Sequence, residues 1–171
     1  MTLPQRELSK MLETALVAAR LGGQRAIEEL NYIKTSVKNN DELVTQADSI
    51  CQRIIIDRIK ETHPDHGIVA EEGKDGQIFK QQPRGEDDFW WVIDPIDGTN
   101  NYAHKILIFT VSIALLYQGE PIIAVIFEPA TDSMFSAVKG QDAHLNDRKI
   151  TCGDDQINEF ASIALDSHFG D

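Results

Sequence analysis

The stretch WWVIDPIDGTNNYAH occupies residues 90–104. An apolar run drives straight into two aspartates, Asp94 and Asp97, with Pro95 and Ile96 between them. Charge at the end of a buried strand is costly unless something compensates it. A strand that ends in a proline-containing turn can aim both carboxylates into one small volume. Two such anions repel, so one is protonated unless a cation lies there. Hard oxygen ligands at this spacing suit Mg²⁺ or another hard divalent ion, and a backbone carbonyl in the turn can add a ligand. Gly98 and Thr99 follow at the start of an expected helix. N–H groups at a helix start bind phosphate, and glycine lets the backbone approach closely. The Thr99 hydroxyl adds a donor or holds a water. The same letters also make an ordinary turn, since Asp, Pro and Gly each favour turns for local reasons.

Two further acidic stations bear on that choice. VAEEG (69–73) places Glu71 and Glu72 directly after an apolar strand. Adjacent residues on an extended chain point to opposite faces, so one of them faces a shared centre. Asp48 stands three residues after Thr45, a capping-box spacing with Asp in place of Glu. Taken singly, these are a solvated acidic turn and a first-turn aspartate favoured by the helix dipole. Three acidic stations at element ends are harder to dismiss together.

The 171 residues fit one ordinary domain, and 42% hydrophobic with 26% charged residues reads as a globular chain. The net charge of -12 argues against a nucleic-acid backbone or an anionic membrane as main partner. It also poses a problem for an anionic substrate, which bound cations would solve. Cys51 and Cys152 belong to no CxxC pair or Cys/His cluster, so no zinc site is read. The default setting is reducing and cytoplasmic. The N-terminal stretch carries charges throughout and does not read as a signal peptide. No apolar run approaches the roughly 20 residues that span a bilayer.

Leu8, Met11, Leu12, Ala15, Leu16 and Ala19 recur at helical spacing within residues 5–30. Gly22-Gly23 marks a tight contact or a break in that helix. TSVKNNDE (35–42) reads as a polar connection. A second helix starts near Thr45, with Ile50, Ile54 and Ile59 as its apolar face. IVA (68–70), FWWVI (89–93), FTVSIALLY (109–117), PIIAVIF (121–127), SMFSAV (133–138) and ASIAL (161–165) read as strands. DGQIFKQQPRGEDD (75–88) reads as a loop, and QGE as a three-residue hairpin connection. Helices followed by hairpin-linked strands point to an α+β domain. His63 and His66 are expected to be exposed, His104 to have a surface role rather than one in the site, and Trp90-Trp91 to pack as core and rim.

These residues resemble the inositol monophosphatase family. WVIDPIDGTNNYAH is similar to its signature, an apolar strand running into D-P-[IL]-D-G-T-x-N-[FY]. ELVTQAD and VAEEG resemble its upstream acidic segments, and the tract from Thr110 to Ile150 resembles its hairpin region. The resemblance implies two N-terminal helices packed on a mostly antiparallel sheet, the first half of a layered α/β/α/β/α sandwich. It implies a Mg²⁺-dependent phosphomonoesterase, holding two or three ions with Mn²⁺ as an alternative, inhibited by Li⁺, and working by direct attack of an activated water. Glu71, Asp94, Asp97 and the Ile96 carbonyl match metal ligands. Asp97, Gly98 and Thr99 match substrate contacts. Asp48 with Thr99 matches the pair that orients and deprotonates the water.

Glu42, Asn100, Ala70, Gly73 and the apolar KILIFT (105–110) depart from the family pattern without removing a ligand. The family continues into a second α/β layer with a W-D-x-A-A-G motif. The expectation is one domain over residues 1–171, with the C-terminal α/β domain absent from this chain. The expected substrate is a small phosphorylated polyol or sugar, with a homodimer as assembly and neither membrane nor direct nucleic-acid contact. Fructose-1,6-bisphosphatase, 3'-phosphoadenosine phosphatase and histidinol-phosphate phosphatase share the DPxDGT core and are alternatives. A non-catalytic metal-binding or regulatory fragment is another, since some bacterial relatives act through transcription or ribosome-linked partners.

Overall fold

Helix α1 (Gln5–Glu29) opens the chain and buries a stripe of small residues, Ala15, Ala18, Ala19, Gly22, Gly23 and Ala26. The computed structural model describes residues 3–37, 43–85 and 87–153. Small side chains let helices approach closely, and the glycine pair is such a contact rather than a break. A Cβ on Gly22 would lie 2.7 Å from Ile55 Cδ1, and one on Gly23 would lie 2.6 Å from the Phe127 ring.

After α1 come a 3-10 turn (Leu30–Tyr32), β1 (Thr35–Val37), β2 (Leu43–Thr45) and α2 (Gln46–Thr62). The stretch read as a polar connection therefore contains a strand, because β1 and β2 pair antiparallel, Thr35 opposite Thr45. Thr45 caps α2 as its spacing predicts. Its hydroxyl accepts from the Ala47 N–H at 3.2 Å, and its own N–H donates to Asp48 Oδ2 at 2.9 Å. The buried face of α2 is Ala47, Cys51, Ile55 and Ile59; Ile50 and Ile54 lie half-buried at its margin. Small Ala47 and Cys51 carry little hydrophobic weight in a pattern, yet they are what α1 can approach.

The remaining strands are β3 (Gly67–Ala70), β4 (Phe79–Gln81), β5 (Phe89–Asp97), β6 (Thr110–Tyr117), β7 (Glu120–Glu128), β8 (Ser133–Val138), β9 (Ala143–Leu145) and β10 (Arg148–Ile150). A second 3-10 turn (Lys74–Gly76) follows β3, and a short helix α3 (Thr99–Ala103) follows β5. The main sheet has the order β10-β9-β8-β7-β6-β5-β3-β4. Its pairs are antiparallel except β3 with β5. This is the α+β arrangement of two helices on a mostly antiparallel sheet.

Two further readings are corrected. The 75–88 loop contains β4, which forms the sheet edge beside β3. The β6–β7 connection is the two residues Gln118 and Gly119, both at positive φ, with Tyr117 paired to Glu120. Two residues at positive φ match the twist of the flanking strands. Strands β9 and β10 are three residues each and too short to show a period. The strand read at 161–165 lies outside the described residues.

One face of the sheet carries Trp91, Ile93, Val111, Ile113, Leu115, Val125 and Phe127 into a core closed by α1 and α2. The other face leaves Val92, Ile126 and Phe135 between 38% and 43% exposed. No described helix is long and apolar enough to cross a membrane.

His63 and His66 are not exposed. His63 is buried and its Nε2 lies 3.3 Å from the Thr14 hydroxyl. His66 stacks on Phe89, and its Nδ1 accepts from the Trp91 indole N–H at 3.1 Å. A polar HPDH turn hides this, because the indole of a buried strand requires an acceptor. Trp91 is fully buried and Trp90 half-buried, as core and rim.

Candidate functional site

The carboxyl ends of β3 and β5 lie side by side, since these two strands pair in parallel with Ala70 opposite Ile93. The pairing continues one step further, as the Glu71 N–H donates to the Ile93 carbonyl at 3.2 Å. Glu71 and Asp94 are thereby delivered to one spot, near enough for the Glu71 carboxyl to favour the protonated form of Asp94.

Asp94 pairs with Ser112 and Asp97 with Thr110, so three steps along β5 oppose two along β6. In a regular strand, residues three apart face opposite ways. The bulge adds one residue and returns Asp97 to electrostatic range of Asp94. Pro95 and Ile96 fill the bulge, where a residue lacking an N–H costs no ladder bond. Asp94 Oδ1 accepts the Ile96 N–H at 3.1 Å, and the Ile96 side chain is fully buried. Asp97 is exposed.

Gly98 has φ of 100°, and a Cβ there would lie 3.1 Å from the Ile108 carbonyl oxygen. Only glycine meets both demands cheaply. The chain then turns into α3, docked by the Tyr102 hydroxyl, which donates to the Ala26 carbonyl at 2.7 Å. Thr99 begins α3. Its hydroxyl lies 3.2 Å from Asp48 Oδ1 and 2.9 Å from the Ile96 carbonyl. His104 is exposed, with Nδ1 2.8 Å from the Asn100 carbonyl.

Burial raises the Asp48 carboxyl above its usual range, against hydrogen bonds from Thr45 and Thr99 that favour the anion. Burial, with the neighbouring Glu71 and then Asp97, pushes Asp94 up to about 7. Such a rise is what clustered carboxylates show without a counter-charge. Among the described residues, no three His, Cys, Asp or Glu side chains close into a ready ligand cage. The structure thus brings Asp48 to Thr99 and Glu71 to Asp94, with Asp97 at the open rim.

Gln52 was not singled out in the sequence. It is buried one turn after Asp48 and bonds to the backbone of Glu72. A polar residue four positions from Asp48, on the buried face of α2, was the available signal.

A layered α+β sheet with acidic groups gathered at adjacent strand ends defines a class that the comparisons identify. The model of the inositol monophosphatase family matches residues 7–168, and the chain belongs to that family. The Nus factor SuhB of Vibrio cholerae is 37% identical over 144 residues, covering 82% of this chain and 51% of that protein. The inositol-1-monophosphatase of Rhizobium meliloti is 38% identical over 129 residues, covering 75% of this chain and 46% of the relative. Among solved structures, an IMPase of Thermotoga maritima superposes with a TM-score of 0.75 at 30% identity, over 85% of this chain and 55% of its own. The chain spans about half the length of the curated relatives it matches.

Proposed function

We propose that this chain carries the cation- and phosphate-binding half of a phosphomonoesterase acting on inositol monophosphate or a related small phosphate ester. The observation that carries the reading is the meeting of Glu71, Asp94 and the Asp48–Thr99 pair around one bulged strand end. A donor set of carboxylate oxygens and a carbonyl, without imidazole or thiolate, fits a hard divalent cation such as Mg²⁺ or Mn²⁺. Glu71, Asp94, Asp97 and the second lone pair of the Ile96 carbonyl would hold it. When bound, the cation neutralises these anions, attracts phosphate and acidifies a coordinated water.

The chain's own residues do the remaining work. The Thr99 hydroxyl can take a proton from water while passing its own to Asp48 Oδ1. Burial makes Asp48 a stronger base than an exposed aspartate, which suits that role. Gly98 and Thr99 lie where the backbone can approach a phosphate, and the first N–H groups of α3 lack intrahelical acceptors. Asp97 at the exposed rim would help hold the cation and face the substrate. A cytoplasmic setting and a homodimer belong to this reading, and the exposed apolar row Val92, Ile126 and Phe135 favours a covered outer sheet face.

The test is phosphate release from inositol 1-phosphate with Mg²⁺, with EDTA, and with added Li⁺. Mg²⁺-dependent, Li⁺-sensitive release is the expected result. Release that persists in EDTA overturns the reading.

A further inference from the structure

We propose that Gln52 is a positioning residue, whose carboxamide sets where the Glu71 carboxylate stands relative to Asp94. Gln52 Nε2 donates to the Glu72 carbonyl at 2.5 Å, and the Glu72 N–H donates to Gln52 Oε1 at 2.7 Å. The residue is 5% exposed. Both backbone groups of Glu72 are satisfied by one amide, as a neighbouring strand would satisfy them.

The need arises where β3 stops. Glu71 is the last residue held by the strand pairing, through its N–H on the Ile93 carbonyl. Beyond it the backbone leaves the sheet, and polar groups of a partly buried turn require partners. Only an amide supplies an acceptor and a donor together in this geometry. A carboxylate would face the Glu72 carbonyl with a lone pair, and an apolar side chain would leave both groups unmet.

The placement of Gln52 matters as much as its bonds. Asp48 and Gln52 are one turn apart on the same face of α2, so one rigid helix holds both sides of the site. Through Asp48 it meets Thr99, at the end of β5. Through Gln52 it meets the turn carrying Glu71, at the end of β3. Movement of that turn separates Glu71 from Asp94 without touching either side chain.

This inference rests on the reading of Glu71 and Asp94 as a cation site, so the experiment separates the two. Mn²⁺ binding is measured by calorimetry on wild type, Gln52→Met, Gln52→Glu, Asp94→Asn and Ile59→Ala. Exchange of the Glu72 amide proton is followed alongside. Ile59 is fully buried at the far end of α2, and its truncation lowers stability without reaching the turn.

Loss of a group that holds a ligand in place costs about 10- to 100-fold in metal affinity. Gln52→Met is expected to weaken Mn²⁺ by that factor and to speed Glu72 exchange, while Ile59→Ala binds as wild type. Gln52→Glu keeps the acceptor for the Glu72 N–H but sets a lone pair against the Glu72 carbonyl, so it is also expected to weaken Mn²⁺ and speed Glu72 exchange, and it serves if Gln52→Met does not fold. Wild-type affinity in both Gln52 variants, with Asp94→Asn still defective, overturns the positioning role and leaves the site standing. Equal weakening in Ile59→Ala also overturns it, by showing a stability effect alone. Absence of Asp94-dependent binding in wild type overturns the site and the positioning role together.

Discussion

Asp48 Oδ1 lies 3.2 Å from the Thr99 hydroxyl, while Oδ2 takes both the N–H and the O–H of Thr45, at 2.9 and 2.6 Å. One carboxylate therefore caps α2 and faces the end of β5. The two readings its spacing allowed are not alternatives, because each uses a different oxygen.

Asp48→Asn separates these duties. An asparagine oxygen can keep the Thr45 bonds, and its NH₂ can donate to Thr99, whose hydroxyl still reaches the Ile96 carbonyl. Unfolding free energy should change by no more than about 1 kcal/mol, the worth of one hydrogen bond. Phosphate release should fall by roughly 100-fold or more, the scale of a lost general base. Urea titration and a phosphate assay check both; undiminished release removes Asp48 from the chemistry.

Asp94 gives the cation-free protein a distinctive pH dependence. Its folded value of about 7 lies above the ordinary 3.8, so between these limits the native state holds a proton that the unfolded chain lacks. Its contribution to stability therefore falls as pH rises from about 4 to about 7 and is flat above. Asp94→Asn removes that slope, and Mg²⁺ should raise the melting temperature of wild type but not of the variant. Melting curves in chelator from pH 5 to 8 test this; parallel curves for the two proteins would refute the coupling to Glu71.

The histidine pair acts with the opposite sign. Burial, then the neighbouring His63 and Lys60, lower His66 to about 4, and burial with Lys10 lowers His63. The unfolded chain takes up protons below its value of 6.5, whereas folded His66 resists until about 4. Stability from this pair is thus lost as pH falls through that window. His66→Gln should flatten this loss. Trp91 fluorescence on acid titration reports it, since its indole donates to His66; an unchanged acid midpoint would count against this assignment.

The glycine pair of α1 makes a packing prediction. A Cβ on Gly23 meets the Phe127 ring at 2.6 Å and Pro129 Cγ at 2.7 Å, both on rigid groups. Overpacking of this kind costs about 1–3 kcal/mol, more than the roughly 1 kcal/mol that alanine gains in a helix. Gly22→Ala meets Cδ1 and Cγ1 of Ile55, at 2.7 and 2.8 Å, a side chain that can rotate as a ring and a proline cannot, and should cost less. Urea midpoints rank the two; a stabilised Gly23→Ala would contradict the packing of α1 on β7.

Much of this protein was legible from its letters because the signals are local. The Thr45–Asp48 cap, the long strands β5, β6 and β7, and the DPIDGT turn each depend on neighbours within a few residues, where periodicity and turn chemistry act. The acidic stations were legible as candidates for the same reason. Tertiary structure decided the rest. The bulge at Pro95-Ile96 puts Asp97 back in range of Asp94, and no spacing rule contains it. The parallel pairing of β3 with β5 chooses Glu71 over Glu72 as the partner of Asp94. The burial of His63 and His66, the strand β4 at the sheet edge, and the grip of Gln52 on Glu72 all depend on contacts between distant segments. Such contacts are settled by which buried groups need a hydrogen-bond partner, and that need exists only once the chain has packed.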